Sequence, residues 1–336
     1  MTTVPRPEGV GPVLGWPAQH PVPIILVGVG GGFALGTLAP GLATVPDAVV
    51  ATVVAVAIAI TLLPVPLASL GRAVVERRFL LAVIGLNIVV SPVLAYILSR
   101  VVFRDPDLQL GLLLVLLAPG VGIVAIFVRR AGGAVESLLS TAPIMLVIQA
   151  VSLPALMVLF TFADGFLTLD LSRLPLAMLF GIVLPAVVVT VIQLIASRAP
   201  RLQRLTRQGG ALAVPATALA AAFVAAVWLP RATERSDLLS AVAPLFGVYL
   251  ILMTPIGILV GTAAGLTLSQ VRALTFSGGA RNGVLVLPLA MAFEEGFELV
   301  PLVVVLGIGI EMIGLFIYRL LVPSVVQQSR GPLAQE

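Results

Sequence analysis

The chain has 336 residues, of which 60% are hydrophobic and 10% are charged. An ordinary soluble domain carries roughly 25% charged residues, so this composition excludes a soluble globular protein and favours one that lies in a membrane. Cysteine is absent and His20 is the single histidine, which excludes disulfides, a thiolate metal site and a histidine cluster. The net charge of +4 comes from arginines in short loops between apolar stretches, a distribution that does not predict nucleic-acid binding.

Ten apolar segments follow one another along the chain, each close to the ~20 residues that a helix needs to cross a bilayer. They span 22–39, 46–68, 79–99, 108–128, 135–162, 174–197, 209–229, 238–265, 269–293 and 298–322. We therefore predict an all-α integral membrane protein with ten transmembrane helices.

The two ends of the chain differ from the segments between them. Residues 1–21 are rich in proline and glycine and are predicted to be a mobile N-terminal tail. Arg6 is followed by no cleavable apolar core of the usual kind, so no signal peptide is predicted. The polar residues 323–336 are predicted to be a C-terminal tail.

The arginines predict an orientation in the bilayer. They are concentrated in the two tails and in the loops after the second, fourth, sixth and eighth segments. Because basic residues favour the cytoplasmic side, both termini are predicted to be cytoplasmic, in a bacterial inner membrane. The acidic cluster of Glu294, Glu295 and Glu298 would then face outwards.

Two segments carry helix-breaking residues in their middle. The fourth contains a Pro-Gly-x-Gly break, and the ninth contains three glycines beside one arginine. A charge at such depth is costly and marks a functional site by default. The predicted substrate-binding residues are Pro119, Gly120, Val121, Gly122, Ser277, Gly278, Gly279, Arg281 and Asn282.

The breaks fall at matching places of two halves, 22–162 and 174–322, which the loop 163–173 connects. Five segments per half force the two copies into opposite orientations, as in the inverted repeats of many secondary transporters. We expect 118–122 to lie within about 10 Å of 278–283. The glycines of 28–32 in the first segment are predicted to allow close helix packing.

A broken helix exposes backbone groups at two half-helix ends. Two such helices crossing near the bilayer midplane can present N–H groups to an anion or carbonyl groups to a cation. The breaks therefore predict a small-ligand site before any side chain is considered, and they leave the sign of its charge open.

The Leu-Ala-Pro-Gly break at 117–120, the basic turn at 127–133 and above all the stretch 274–290 resemble the bile acid:sodium symporter superfamily. The resemblance is closest to its bacterial arsenical-resistance-like branch and covers roughly residues 22–322. It implies ten helices in an inverted repeat, a panel domain and a core domain, and crossing of the broken fourth and ninth helices in the core. It also implies a substrate cavity between the two domains.

The chain departs from that family at two positions. Ser277 and Arg281 stand where sodium-coupled members carry a glutamate and a glutamine that ligate sodium. A guanidinium cannot be deprotonated and repels a cation, so Arg281 is predicted to replace the ion with a built-in positive charge. Gly120 stands where arsenite exporters carry a cysteine, which excludes capture of trivalent arsenic by a thiolate.

Several polar residues within the segments have two interpretations. Glu311 lies deep in the tenth segment. Its functional interpretation is a counter-ion of Arg281 or a proton carrier, and its alternative interpretation is a packing residue. For Asn87, Gln149 and Gln193 hydrogen bonding between helices is favoured over lining a cavity. Ser140 and Thr141 either face the first break, as the resemblance implies, or bond to backbone carbonyls.

These features predict a secondary active transporter for a small organic or inorganic anion, without a cofactor or a metal. The chain has no lysine and no phosphate-binding loop, which disfavours a built-in ATPase, and the pair Asp105 and Asp107 is interpreted as solvated loop residues. The alternatives are a membrane enzyme acting on a lipid or isoprenoid, and a sodium-coupled symporter of an organic acid. The predicted partners are the substrate anion, the lipid bilayer and a coupling proton.

Overall fold

The computed structural model describes residues 12–66, 76–120, 122–163, 173–196, 198, 200–293 and 296–328, and these form helices and no strand. The helices are α1 (Pro12–Gln19), α2 (Pro21–Leu38), α3 (Asp47–Leu62), α4 (Arg77–Val102), α5 (Pro106–Leu117), α6 (Val124–Arg130), α7 (Val135–Ala163), α8 (Leu174–Ala196), α9 (Pro200–Trp228), α10 (Leu239–Ala263), α11 (Leu268–Gly279), α12 (Gly283–Ala290) and α13 (Leu299–Gln328).

The helices make this an all-α membrane protein. Within the described residues, seven helices are long and apolar enough to cross a bilayer, namely α2, α4, α7, α8, α9, α10 and α13. Two shorter apolar helices, α3 and α5, accompany them. Many large apolar side chains on these helices point outwards, as expected of surfaces that face lipid.

The prediction of a mobile tail over 1–21 is wrong for its second half. Pro12–Gln19 form α1, which packs against α9. Arg130 at the end of α6 donates to the carbonyl oxygens of Ala18 and Gln19 at 2.8 and 3.0 Å. These bonds satisfy carbonyls that a helix end leaves without a partner. Residues 1–11 and 329–336 lie outside the described residues.

Each of the two predicted breaks ends one helix and begins another. Pro119 disfavours helical geometry in the residue before it, and Ala118 has φ −63° and ψ 148°, so α5 ends at Leu117. Ala280 is extended in the same way, with φ −74° and ψ 135°, and α11 ends at Gly279. Both breaks leave backbone groups at membrane depth that need other partners.

Two long helices contain a π-helical turn beside a proline. The turn Gly85–Val90 of α4 precedes Pro92, and Leu179–Val183 of α8 precedes Pro185. A proline in a helix removes one hydrogen bond and displaces the carbonyl four residues earlier, and a wider turn accommodates that displacement. The first of these turns places Asn87 against α11, and π-helical turns often mark functional sites.

Helix α9 packs closely against α2 and α3, and α8 joins this group. A Cβ atom on Gly28 or Gly32 of α2 would lie 2.6 or 2.4 Å from backbone oxygens of α9, which confirms the prediction of close packing for these two glycines. A Cβ atom on Gly30 or Gly31 would meet nothing within 4 Å. In a second group, α13 packs against α5, α10 and α12, and α11 packs against α10.

The interpretation of Asp105 and Asp107 as solvated is wrong for Asp107, whereas the side chain of Asp105 is 39% exposed. Asp107 is 2% exposed and lies 2.9 Å from Arg235, which precedes α10. Burial raises the pKa of the Asp107 carboxyl above its ordinary value, and the charge of Arg235 opposes that shift. The ion pair between Asp107 and Arg235 connects the start of α5 to the segment before α10.

Candidate functional site

The two breaks touch each other. The backbone N–H of Asn282 donates to the carbonyl oxygen of Pro119 at 3.0 Å. Gly120 lies so close to the second break that a Cβ atom there would stand 2.3 Å from the carbonyl oxygen of Ala280. The expectation that 118–122 and 278–283 lie within about 10 Å is confirmed for the described residues of both segments.

The guanidinium of Arg281 lies at this crossing and is 2% exposed. Its Nη1 donates to Oδ1 of Asn87 at 2.8 Å, and its Nη2 donates to Oγ of Ser91 at 2.6 Å. Nε donates to the hydroxyl of Tyr249 at 3.0 Å, and Nη2 also donates to that hydroxyl. All three side-chain acceptors are neutral.

Two backbone carbonyls complete the surroundings of the guanidinium. Nη1 donates to the oxygen of Ala118 at 3.3 Å and Nη2 to that of Gly278 at 2.9 Å. These oxygens belong to the C-terminal ends of α5 and α11, the negative ends of the two helix dipoles, which favour a cation. Both half-helices therefore direct their C-terminal ends at one fixed positive charge.

The guanidinium thus occupies a cage of five oxygen atoms, and we call this set of groups the Arg281 cage. Its members are Asn87 Oδ1, Ser91 Oγ, Ala118 O, Tyr249 OH and Gly278 O. Arginine has five N–H donors, and each of them has an acceptor in this cage. No donor of the guanidinium is left over for a substrate oxyanion in this arrangement.

Further hydrogen bonds fix the cage. Tyr249 donates to Gly278 O at 3.1 Å, and Ser91 donates to Leu116 O at 3.3 Å. The Nδ2 of Asn87 donates to Val83 O at 2.9 Å and to Ser277 Oγ at 3.3 Å. The acceptor atoms around the guanidinium are therefore held by α4, α10 and α11 rather than by flexible loops.

Glu311 is 8% exposed and meets Arg281 at its backbone rather than at its guanidinium. Its Oε1 accepts the backbone N–H of Arg281 at 3.0 Å, which satisfies a donor that the break leaves free. The guanidinium itself points into the cage and makes no ion pair with this carboxylate. Arg281 and Glu311 are thus neighbours without a direct contact between their charged groups.

Small cavities lie on two sides of the crossing. The first, which we call the Glu311 cavity, opens between the breaks, α9 and α13. Its polar lining comes from Thr217, Arg281, Asn282 and Glu311, and Gly120 also borders it. The second, which we call the Gln149 cavity, is lined by Asn87, Gly120, Thr141, Gln149 and Ser277. Gly120 borders both cavities, so the crossing forms the wall between them.

The structure brings four of the nine predicted binding residues to these cavities, namely Gly120, Ser277, Arg281 and Asn282. Gly279 packs against Tyr318, and Gly278 contributes its carbonyl oxygen to the Arg281 cage. Gly122 has φ +92°, a backbone conformation that favours glycine. A Cβ atom there would lie 3.3 Å from Thr61 O. Val121 lies outside the described residues.

The other polar residues divide between the two interpretations. Gln193 donates to Leu63 O and Val65 O at 3.1 and 2.6 Å, which confirms a hydrogen-bonding role between helices. Asn87 accepts from Arg281 in the cage, and Gln149 lines the Gln149 cavity. Ser140 and Thr141 both donate to backbone carbonyls, of Ser137 and Leu138, at 2.8 and 2.9 Å. Thr141 also lines the same cavity.

Sequence reasoning missed Ser91, Tyr249 and Thr217. Each is a polar group within an apolar helix, which was the signal that singled out Asn87 and Gln149. Of the three, Tyr249 was the easiest to predict from sequence, because a tyrosine hydroxyl in the middle of a membrane helix requires a hydrogen-bond partner.

No model of a known protein family and no curated protein matches this chain.

Proposed function

We propose that this protein is a secondary active transporter for a small organic or inorganic anion, working by alternating access at the crossed breaks. The observation that carries the proposal is the buried Arg281 cage at the contact of two broken helices. Broken helices that meet near the midplane are the geometry in which secondary transporters bind substrates and coupling ions.

The chemistry of the cage supports a specific coupling. Five oxygen atoms, two of them carbonyls at half-helix C-terminal ends, form a set of ligands suited to an alkali cation. Arg281 fills this set with its own charge. Transport is therefore independent of sodium, because the positive charge that sodium would bring is already built in.

The proposed architecture has ten crossings in a five-plus-five inverted repeat of 22–162 and 174–322. The group of α2, α3, α8 and α9 corresponds to a panel domain, and the remaining membrane helices to a core domain. Supporting this division, α5 with α6 and α11 with α12 are broken at matching places of the two halves. The Glu311 cavity lies between the two groups, because Thr217 comes from α9 and Glu311 from α13.

The proposed class of transporter is the one that the sequence resembles, the bile acid:sodium symporter superfamily with its arsenical-resistance-like branch. The proposed location is a bacterial inner membrane with both termini cytoplasmic, which the arginine distribution supports. An arsenical substrate bound by a thiolate is not part of the proposal, since the chain has no cysteine.

The test is flux in sealed proteoliposomes that contain only this protein. Anions are first selected by their stabilisation of the purified protein in a thermal-shift screen of carboxylates and inorganic oxyanions. We expect accumulation of the selected anion at equal rates in sodium, potassium and choline media. Flux that requires sodium would support the sodium-coupled alternative, and turnover of a lipid without compartments would support the enzyme.

A further inference from the structure

The Glu311 cavity contains two polar groups whose bonding capacity the protein does not use. Thr217 is 3% exposed, and its hydroxyl has no hydrogen-bond partner among the described residues. Glu311 uses Oε1 to accept the N–H of Arg281, and its Oε2 has no such partner in the described part of the chain. A buried polar group without a partner is costly, so a hydroxyl and a carboxyl oxygen left unpaired in one cavity indicate a polar occupant.

The charges around the cavity determine which occupant it can hold. Arg281 and Tyr249 are the other ionisable groups that border a cavity together with Glu311, and α9 contributes the uncharged Thr217. The residues of α2 and α5 that approach α13 beside Glu311 are apolar, such as Val29 and Val115. The local sum is therefore zero when Glu311 is ionised and +1 when it is protonated.

An added cation would stand beside a fixed guanidinium charge, and an added anion would stand beside the Glu311 carboxylate. Both are unfavourable where water is scarce, because like charges interact strongly at low dielectric. A monovalent anion that arrives together with one proton keeps the sum at zero, and a divalent anion leaves it at −1. The proton converts the carboxylate into a neutral carboxyl that can donate a hydrogen bond.

In the present conformation the Glu311 cavity has a volume of about 20 Å³, little more than one water molecule needs. We propose that it widens as α9 separates from the breaks and then binds one substrate anion and one proton together, so that the transporter is a proton–anion symporter. The proton comes from the aqueous side that the cavity faces, binds Oε2 of Glu311 and leaves with the anion on the other side. The hydroxyl of Thr217 donates the second hydrogen bond to the anion. This inference rests on the proposed transport function and adds its coupling ion and the positions of its ligands.

The experiment uses proteoliposomes that contain a pH-sensitive dye and no sodium, with potassium and valinomycin to hold the membrane potential at zero. Potassium salts of pyruvate, malate, sulfate and phosphate, each radiolabelled, are added outside without a pH gradient. We expect at least one anion to enter together with protons. Its apparent affinity falls about tenfold per pH unit above the titration of Glu311, as linkage to one proton requires.

Variants separate the roles of the two residues. Glu311→Gln loses proton entry, and its affinity for the anion no longer changes with pH. Thr217→Val, which removes only the hydroxyl, raises the KM roughly fivefold to tenfold, as expected for one hydrogen bond. The control Thr190→Val leaves the KM unchanged, because the Thr190 hydroxyl bonds to Ala186 O within α8, away from the cavity.

The outcomes distinguish this inference from the transport function. Anion entry without protons, or a Glu311→Gln variant that keeps the wild-type dependence on pH, would overturn proton coupling and leave the transporter intact. Failure of all four anions to enter through the wild-type protein would contradict the transport function itself. A neutral substrate would be recognised by an affinity that is the same at every pH.

Discussion

The number of hydrogen-bond donors on the Arg281 guanidinium matters as much for its stability in the buried cage as its charge does. A charged side chain at membrane depth costs about 2.5–3.5 kcal/mol by insertion scales, and hydrogen bonds to charged groups recover about 1.5–3 kcal/mol each. The five acceptors of the Arg281 cage can therefore offset the cost of burying this charge. The carboxylate of Glu311 contributes one more hydrogen bond by accepting the backbone N–H of Arg281.

Ser91→Ala tests whether the cage holds a charge. Ser91 accepts from the guanidinium at 2.6 Å, whereas Ser99, on the same helix and equally buried, accepts from the neutral amide of Gln109 at 3.4 Å. We expect Ser91→Ala to lower the free energy of unfolding by about 1.5–3 kcal/mol and Ser99→Ala by about 0.5–1.5 kcal/mol. Chemical denaturation in mixed micelles measures both values, and equal losses would contradict the account.

Arg281→Lys tests the need for the fork of donors. A lysine ammonium has three donors for five acceptors. Gly278 O keeps the Tyr249 hydroxyl as a donor, so at least one oxygen of the cage is left without a donor. We expect this to cost about 1–3 kcal/mol, seen as a lower melting temperature. The control Arg235→Lys keeps a point charge beside the Asp107 carboxylate and should melt close to the wild type; an equally stable Arg281→Lys would contradict the role of the fork.

At the scale of helices, the contact between the two breaks depends on the absence of a side chain at Gly120. A methyl group there would stand 2.3 Å from Ala280 O and 3.3 Å from Ser277 O, and both of these are backbone atoms that cannot move alone. The crossing therefore depends on one glycine that both cavities share.

Gly120→Ala should separate the breaks and cost about 1–3 kcal/mol through overpacking. It should also abolish uptake, because the wall between the two cavities moves. Gly247→Ala in α10 is the matched control: nothing lies within 4 Å of the added methyl group, and alanine favours a helix over glycine by roughly 1 kcal/mol. Uptake by Gly120→Ala at the control rate would show that the contact is not essential.

Prolines and glycines in apolar segments made the helix breaks predictable, because their backbone effects are local. The positions of Pro119 and Gly279 at helix ends follow from such effects. The partners of Arg281 were not predictable in the same way. Ser91 and Tyr249 are 190 and 32 residues away from it in sequence, and only the tertiary packing of α4 and α10 brings them together.

The same limit explains the errors of interpretation. Asp107 was taken for a solvated loop residue because its partner, Arg235, is 128 residues away. The helix α1 was taken for a mobile tail because its proline content is typical of disordered segments. Its C-terminal carbonyls are held by Arg130, a contact that a local pattern cannot indicate.

At the scale of the molecule, the proposed transport function with a built-in charge implies a different driving force from that of a sodium symporter. A sodium symporter binds its ion anew in each cycle, whereas Arg281 never leaves the chain. Under this proposal the energy of a sodium gradient is not used, and Glu311, whose carboxyl accepts the backbone N–H of Arg281, is the proposed site of proton exchange with the medium.

The most direct test of the built-in cation is the effect of sodium on the melting temperature of the wild type and of Arg281→Gln. A ligand that binds only the folded state raises apparent stability by RT ln(1 + [L]/Kd), about 2.7 kcal/mol at a hundredfold excess over Kd. We expect no specific effect of sodium over choline on the wild type, and specific stabilisation of Arg281→Gln, whose emptied cage keeps its oxygen atoms. Stabilisation of the wild type by sodium, or an Arg281→Gln variant indifferent to it, would contradict the claim that the guanidinium occupies a cation site.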